Sequence, residues 1–198
     1  MGLRDKLENP EFKPTPFTPR PELLQHANIP KPLHTVAPRT VLGRRWWDYE
    51  RKRAYQRSGY RCCACGVNSS DAKERQALEA HEIYTIDYAR GRMTYVEAVA
   101  LCHYCHNFIH CGRLEILAQK GEVSWAKYAS VMNHGRKILR DAGIEHVNGK
   151  LDVVMAPWGE WRMVVRGREF PPAFRNYEHW LEHFGYTDKE YYGDPMED

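Results

Sequence analysis

The residues that decide this fold are Cys62-Cys-Ala-Cys-Gly66 and Leu101-Cys-His-Tyr-Cys-His-Asn-Phe-Ile-His110. Each stretch contains one Cys-x-x-Cys pair, and the four cysteines are Cys62, Cys65, Cys102 and Cys105. Because such a pair fits on a single tight turn, two pairs can give four thiolates to one zinc ion. The spacing therefore predicts a closed, structural zinc site. The 36 residues from 66 to 101 exceed the spacer of a compact zinc ribbon, so we expect further secondary structure between the pairs.

A second set of possible metal ligands consists of histidines. His106 and His110 are four residues apart, so on a helix they lie on one side, about one turn from each other. Between the cysteine pairs, Leu78-Glu-Ala-His-Glu-Ile83 predicts a strand at about 77–84. Alternation along that strand places Glu79, His81 and Ile83 on one face and Glu82 on the other. The pattern indicates a second metal platform, separate from the thiolates.

This order of motifs resembles the HNH (ββα-metal) endonucleases, in the subset that carries a structural zinc site. The shared pattern is Cys-x-x-Cys, a Glu-x-His strand, and then Leu-Cys-x-x-Cys-His-x-x-x-His, and it covers roughly residues 44–113. The resemblance implies an α+β fold with a ββα-metal core, and a metal-dependent endonuclease or nickase that hydrolyses DNA with low sequence specificity. It also implies that His81, His106 and His110 hold a catalytic divalent ion, Mg²⁺ or another, in addition to the structural Zn²⁺.

Two positions depart from the family pattern. Glu82 follows His81 where the family most often has its general-base histidine, and Glu97 occupies the position of the family's middle asparagine. A carboxylate is an ordinary general base. Either Glu82 activates the water, or His81 is the base and the ion is held by His106, His110 and a carboxylate. The predicted catalytic residues are therefore His81, Glu82 and His106, with the roles of the first two left open.

Charge is distributed unevenly along the chain, although the net charge is only +3. Residues 39–61 contain eight basic side chains against two acidic ones, and residues 188–198 contain five acidic side chains against one lysine. This distribution suits a polyanion-binding surface, but a solvated helix face would have the same composition. The predicted nucleic-acid contacts are Arg44, Arg45, Arg51, Arg90, Arg92 and Arg113.

The composition and the N-terminal residues argue against secreted and membrane proteins. The first ten residues are charged and polar, unlike a secretory signal, and no apolar run approaches the length of a membrane span. We therefore expect a cytoplasmic protein whose cysteines stay reduced and free to bind metal. Cys63 and Cys111, outside the two pairs, are interpreted as small buried residues.

The chain divides into three predicted segments. Residues 1–40 hold eight of the twelve prolines and predict an extended N-terminal arm, anchored by Leu23, Leu24 and Leu33. Residues 41–121 form the zinc and histidine domain, and residues 122–198 form an extension with an acidic tail. The arm or the extension is the predicted surface for a protein partner.

Local patterns predict the remaining elements. We expect a helix at 44–58, a return strand at 96–101 (or a short helix there), and a ligand helix at 104–111 that Gly112 ends. Ser124 is a good N-cap for a longer helix. Alternating apolar residues predict a β-hairpin around 157–159, followed by a final helix from Tyr177 to Phe184.

Three functional hypotheses follow from these patterns. The first is the DNA endonuclease or nickase. The second is a zinc-containing module that binds nucleic acid or assembles with a partner but has lost catalysis, which the two glutamate departures favour. The third is the same site acting on structured RNA.

Overall fold

A long antiparallel β-hairpin carries the central part of the fold. The computed structural model describes residues 17–25, 27–145 and 155–185. Strand β1 (Leu78–Asp87) pairs with β2 (Arg92–Cys102) from Leu78↔Cys102 to Asp87↔Arg92. Gly91 lies in the turn with φ of 61°, and a Cβ there would lie 2.8 Å from Cβ of Ala156, so a glycine is required. The expected return strand is confirmed, and it is longer than predicted.

Two shorter strands extend this hairpin into one sheet. Strand β3 (Arg162–Val165) pairs with β2 in parallel, and β4 (Arg168–Phe170) pairs with β3 antiparallel, which gives the order β1-β2-β3-β4 within the described residues. The described chain is therefore a mixed α+β structure, as expected. The β2–β3 pairing joins the extension to the central segment, while the boundaries at residues 40 and 121 stay a prediction.

The helices flank the sheet and begin at recognisable caps. Ser124 caps α5 by accepting a hydrogen bond from the Lys127 backbone N–H, as predicted, and Asn176 caps α6 in the same way. None of the described helices has the length and apolar character needed to cross a membrane. The helices are α1 (Pro38–Val41), α2 (Arg44–Arg57), α3 (His103–Ile109), α4 (Cys111–Gln119), α5 (Trp125–Asp141) and α6 (Tyr177–Phe184).

Buried apolar side chains form two clusters along the hairpin within the described residues. The zinc-side cluster joins β2 to α3, α4 and α5 and includes Leu101, Phe108 and Val131. The sheet-side cluster joins the far half of the hairpin to β3 and includes Trp161 and Met163. Ile83 packs on the first cluster and Tyr84 on the second, as strand alternation requires, and the register shifts between them, with Val96 of β2 unpaired.

The predicted end of the ligand helix was wrong. Helix α3 ends at Ile109, and His110 (φ −95°, ψ 33°) joins it directly to α4. Gly112 lies inside α4, where nothing within 4 Å would meet an added Cβ. A glycine lowers helix stability without ending the helix, and here His110 makes the change of direction.

The β-hairpin of this region does not turn at residues 157–159, where the turn was predicted; Trp158–Glu160 form a 3-10 turn instead. The first arm of the predicted hairpin includes residues 151–154, which are outside the described residues, and the hairpin that is present turns at Arg166 and Gly167. Both of these residues have positive φ, 51° and 71°, as a two-residue type I′ turn requires. Gly167 adopts the positive φ of this turn without steric cost, whereas the predicted segment contains Pro157, whose φ is fixed at a negative value.

The N-terminal arm packs on the domain in its described part. The described part of this arm is not extended throughout as predicted, because short 3-10 turns form at Pro21–Gln25 and Lys31–Leu33, and α1 begins at Pro38, a position that tolerates proline. Leu23 and Leu24 lie in the zinc-side cluster and Leu33 in the sheet-side cluster, so the three predicted anchors are confirmed. Residues 1–16 and the acidic tail at 188–198 lie outside the described residues.

Candidate metal centres

Four cysteines meet where β2 ends and α3 begins. Cys62 and Cys65 lie on the tight turn after α2, closed by a hydrogen bond from Gly66 N–H to the Cys62 carbonyl (2.8 Å). Cys102 is the last residue of β2 and Cys105 lies in the first turn of α3. Their Sγ atoms lie within 4.8 Å of one another. This set could hold a metal ion such as zinc, as predicted.

One sulfur–sulfur distance equals the edge of a tetrahedral zinc site. With Zn–S bonds of about 2.3 Å, the sulfur–sulfur edge of a tetrahedron is about 3.8 Å, and the Sγ atoms of Cys65 and Cys102 are 3.8 Å apart. Hydrogen bonds from the other thiols, with Cys105 making the largest contribution, lower the pKa of Cys102 and so favour a thiolate there. The ring Nε2 of His134 lies 3.6 Å from Sγ of Cys105, so an N–H at this atom would donate to that sulfur.

Three histidines form a separate group on the neighbouring strand and helix. His81 of β1 is buried, His106 of α3 is half-buried and His110 is exposed. Their ring centroids are 4.7–5.5 Å apart, and one ligand nitrogen from each lies within 4.8 Å of the other two. The structure therefore brings together the three predicted ligands. A metal ion held by them would reach solvent on the His110 side.

Glu79 connects two helix histidines to the strand. Its Oε2 lies 2.6 Å from Nδ1 of His106, and its Oε1 lies 2.7 Å from Nδ1 of His103. The hydrogen bond from His106, helped by that from His103, outweighs burial and lowers the pKa of Glu79 to about 2. Glu79 is thus an anion that accepts Nδ1–H of His106, and this tautomer leaves the lone pair on Nε2 of His106 to bind an ion.

Sequence reasoning placed Glu79 on the His81 face but gave it no role, and gave none to His103. His103 also faces Glu74, whose Oε2 lies 3.8 Å from its Nε2. Glu74 in turn binds Lys127 and accepts a hydrogen bond from the Tyr104 hydroxyl (3.0 Å). The ion pair and hydrogen bond with Lys127 lower the pKa of Glu74. A chain of alternating acids and bases therefore runs from His106 to α5.

Glu82 lies on the opposite side of β1 from the histidines. Its carboxylate is buried, 3.6 Å from Nε of Arg39, and burial raises its pKa. Glu97 is also outside the histidine group, since its carboxylate pairs with Arg20 (2.8 Å) and Arg57 (3.7 Å). Both carboxylates thus pair with arginines, and neither belongs to the group of three imidazoles that could hold an ion.

The six arginines predicted to contact nucleic acid differ in solvent exposure and in whether an acidic side chain pairs with them. Arg45 and Arg113 are exposed, and Arg44 is exposed with Asp48 3.8 Å away. Arg51 is bound to Asp48 (2.8 Å), and Arg90 to Asp87 (3.2 Å). Arg92 bonds to the Glu160 carbonyl and pairs with Glu169.

Comparisons with protein-family models, curated proteins and solved structures returned no match for this chain.

Proposed function

We propose that this chain is a metal-dependent endonuclease of the HNH type that nicks or cuts DNA. The observation that carries the proposal is the convergence of His81 from a strand with His106 and His110 from the adjoining helix, within 4.8 Å of one another. The four-cysteine site lies at the strand–helix junction between them and would fix that geometry when zinc is bound. Closed zinc sites with four cysteine ligands are structural, so the chemistry belongs to the histidines.

In this proposal His106 and His110 hold one divalent ion through one ring nitrogen each, and His81 either completes the ligand set or acts as the base. When bound, that ion supplies charge neutralisation at the scissile phosphate and at the departing 3′ oxygen. His106 is oriented by Glu79, and His110 borders solvent, where a phosphate could approach. The buried ring of His81 supports the site from the strand.

Water activation requires a proton acceptor near the phosphate. His81 is the better of the two predicted bases, because its ring lies 4.9 Å from that of His110, whereas Glu82 faces Arg39 across the strand. We therefore assign Glu82 to the ion pair that holds Arg39 against β1. His81 then acts either as an ion ligand or as the base. If His81 is a ligand, His81→Ala should lose the ion. If His81 is the base, His81→Ala should keep the ion and lose activity.

DNA contact in the proposal falls to the exposed arginines. Arg113 lies in the first turn of α4, just after His110, and Arg44 and Arg45 begin α2. Backbone contacts of this kind give little sequence preference and release counterions on binding. Affinity for DNA should therefore fall steeply with salt.

The test is a nicking assay on supercoiled plasmid with the zinc-loaded chain and added Mg²⁺, Mn²⁺, Co²⁺ or Ni²⁺. We expect nicking by the native chain and a loss of at least about a hundredfold in His81→Ala and His106→Ala, since general acid–base and metal contributions are each of that order. The matched control is His183→Ala. His183 is an exposed histidine on α6, and this helix packs on the Lys31–Leu33 turn.

The outcomes separate the three hypotheses. Nicking that both site variants retain would contradict the assigned site. Binding of DNA without nicking in any metal would favour the catalytically inactive module, and cleavage of labelled structured RNA but not DNA would change the substrate.

A further inference from the structure

Helix α2 presents a side to solvent on which cationic and aromatic side chains are mixed. Residues three or four apart lie on one side of a helix, and five exposed residues of α2 follow this spacing. Ala54, on the opposite side, is buried. The solvent side therefore carries three positive charges, a phenol ring and an amide. These five residues, called here the α2 face, are Arg45, Tyr49, Lys52, Arg53 and Gln56.

The two acidic residues of α2 are engaged outside this face. Asp48 accepts a hydrogen bond from Arg51 (2.8 Å), and neither residue belongs to the α2 face. Glu50 is buried and pairs with Arg166 of the β3–β4 turn (3.6 Å). The charge of the helix is therefore separated, with both acids held elsewhere and three cations on the solvent side. This arrangement suits the α2 face to a polyanion.

Tyr49 is the aromatic residue of the α2 face, and it is 55% exposed. The guanidinium carbon of Arg53 lies 5.3 Å from the centroid of the Tyr49 ring, and Nη1 of Arg53 lies 3.5 Å from its hydroxyl. This cation–π contact holds a positive charge beside the ring. A flat ring next to a cation can stack on a base while the cation binds the adjoining phosphate.

A second exposed tyrosine lies in the turn directly after α2. Tyr60 is 54% exposed and has a φ of 58°, a left-handed conformation that is costly for a residue other than glycine. Two backbone hydrogen bonds hold it there, from its N–H to the Tyr55 carbonyl (2.9 Å) and from the Ser69 N–H to its carbonyl (2.9 Å). A bulky, exposed side chain in a strained conformation points to a role outside folding.

Exposed rings of this kind distinguish unpaired from paired DNA. In a duplex the bases stack on one another, and a protein reaches their edges through the grooves. In a single strand the faces of the bases are accessible, and they stack on aromatic side chains whatever the base. Cations alone would bind both forms through their phosphates.

We propose that the α2 face and Tyr60 bind a single-stranded segment of DNA. Tyr49 and Tyr60 stack on its bases, and the three cations of the α2 face contact its phosphates. The inference deepens the proposed function by naming the form of DNA that the protein engages, and it rests on that function for the choice of DNA. It assigns no residue of the α2 face to the cleavage step.

The experiment measures DNA binding in buffer without a second metal, so that cleavage does not enter. Zinc-loaded full-length chain is titrated by fluorescence anisotropy against an oligothymidylate of about 20 nucleotides, an abasic strand of the same length, and the duplex of the oligothymidylate with oligodeoxyadenylate. We expect the native chain to bind the oligothymidylate at least about fivefold more tightly than the abasic strand, which has the same phosphates but no bases. A face that acts through charge alone would bind the two strands equally.

Substitutions separate stacking from charge. Tyr49→Ala and Tyr60→Asn should each weaken oligothymidylate binding by about 5- to 150-fold, the effect of one base on one aromatic ring, and should leave duplex affinity within about twofold of the native value. Tyr49→Phe keeps the ring and should bind as the native chain does. Lys52→Ala should instead reduce the slope of log affinity against log salt by about 0.7. Trp125→Ala is the matched control, since Trp125 is an aromatic residue of α5 with similar exposure, 54%.

Zinc content and urea unfolding separate a lost contact from a lost fold. Tyr60→Asn should keep its zinc and unfold at the native midpoint or above it, because asparagine tolerates left-handed backbone angles. Tyr49→Ala should also keep its zinc, since Tyr49 is exposed. If one tyrosine variant lost zinc, the other would decide.

Native-level oligothymidylate affinity in the zinc-retaining tyrosine variants would overturn the inference, and so would equal affinity of the native chain for the oligothymidylate and the abasic strand. Tighter binding of oligouridylate than of oligothymidylate would overturn the choice of DNA. The nicking assay tests the proposed function separately. A chain that nicks plasmid while its tyrosine variants bind oligothymidylate normally fails this inference alone, and a chain that binds through its tyrosines but nicks nothing fails the proposed nuclease alone.

Discussion

Replacing Gly135 with alanine tests how tightly the ligand helix is held. Gly135 of α5 faces Phe108 of α3, and a Cβ built on it would lie 2.2, 2.3 and 2.6 Å from three carbons of that buried ring. Ordinary carbon contacts are about 3.5 Å, so the ring or a helix must move by about 1.3 Å. Overpacking of this kind costs about 1–3 kcal/mol, against a gain of about 1 kcal/mol for alanine in a helix.

We therefore expect Gly135→Ala to lower the free energy of unfolding by up to about 2 kcal/mol in zinc-saturated urea titrations. Because Phe108 lies between His106 and His110 on the chain, the variant should also bind the second ion more weakly. Gly112→Ala is the matched control, since nothing lies within 4 Å of its Cβ position, and it should gain up to about 1 kcal/mol. Equal stability of the two variants would refute the close packing of α5 on α3.

Three further predictions concern the zinc site, the arm and the basic surface. Cys102→Ser should lose zinc and its folding free energy, on the order of 10 kcal/mol in small metal domains, whereas Cys63→Ser should keep zinc. Stability should fall as pH drops below about 6.5, because burial lowers the pKa of His34, and the unfolded chain then takes up the proton first. Thermal unfolding at pH 7.5 and 5.5 should show a smaller pH effect in His34→Gln. Arg45→Ala should reduce the slope of log affinity for DNA against log salt by about 0.9, and Arg51→Ala should reduce it less, since Arg51 is bound to Asp48.

Each of these predictions has a contrary result. Zinc retained in Cys102→Ser, measured by metal analysis, would mean that this sulfur is not a ligand. If His34→Gln shows the same pH effect as the native chain, the titrating group is not the His34 ring, which accepts the Trp180 N–H (3.1 Å). Equal salt slopes for Arg45→Ala and the native chain would mean that Arg45 does not contact a phosphate.

The convergence of the two groups of possible ligands could be predicted because their signals are local. A Cys-x-x-Cys pair defines a turn, and the i, i+4 spacing of His106 and His110 defines one side of a helix, whatever surrounds them. The same holds for the opposite orientation of His81 and Glu82, which follows from strand alternation alone. These features needed no knowledge of tertiary packing.

The support of the site could not be predicted in this way. Glu79 and His103 are 24 positions apart, and their contact exists only because α3 packs on β1. A single glutamate two residues before a histidine is too common a pattern to indicate that role. Likewise, the Glu97 ion pair with Arg20 depends on where the arm lies, more than seventy residues earlier in the chain.

Errors in the fold also came from long-range or competing effects. The parallel pairing of β2 with β3 joins Arg92 to Arg162, and no local pattern reports it. In the last hairpin, residues 157–159 had strong turn composition, but Arg166 and Gly167 had the backbone angles of a two-residue turn. Composition identified a hairpin in this region and did not identify its turn.

The most direct test of the two-centre account is anomalous diffraction from crystals of the zinc-loaded chain soaked in Ni²⁺. We predict two peaks per chain, a zinc peak within bonding distance of the sulfurs of Cys62, Cys65, Cys102 and Cys105, and a nickel peak among the rings of His81, His106 and His110. A nickel peak elsewhere, or a zinc peak alone with no metal among the three imidazoles, would contradict the account.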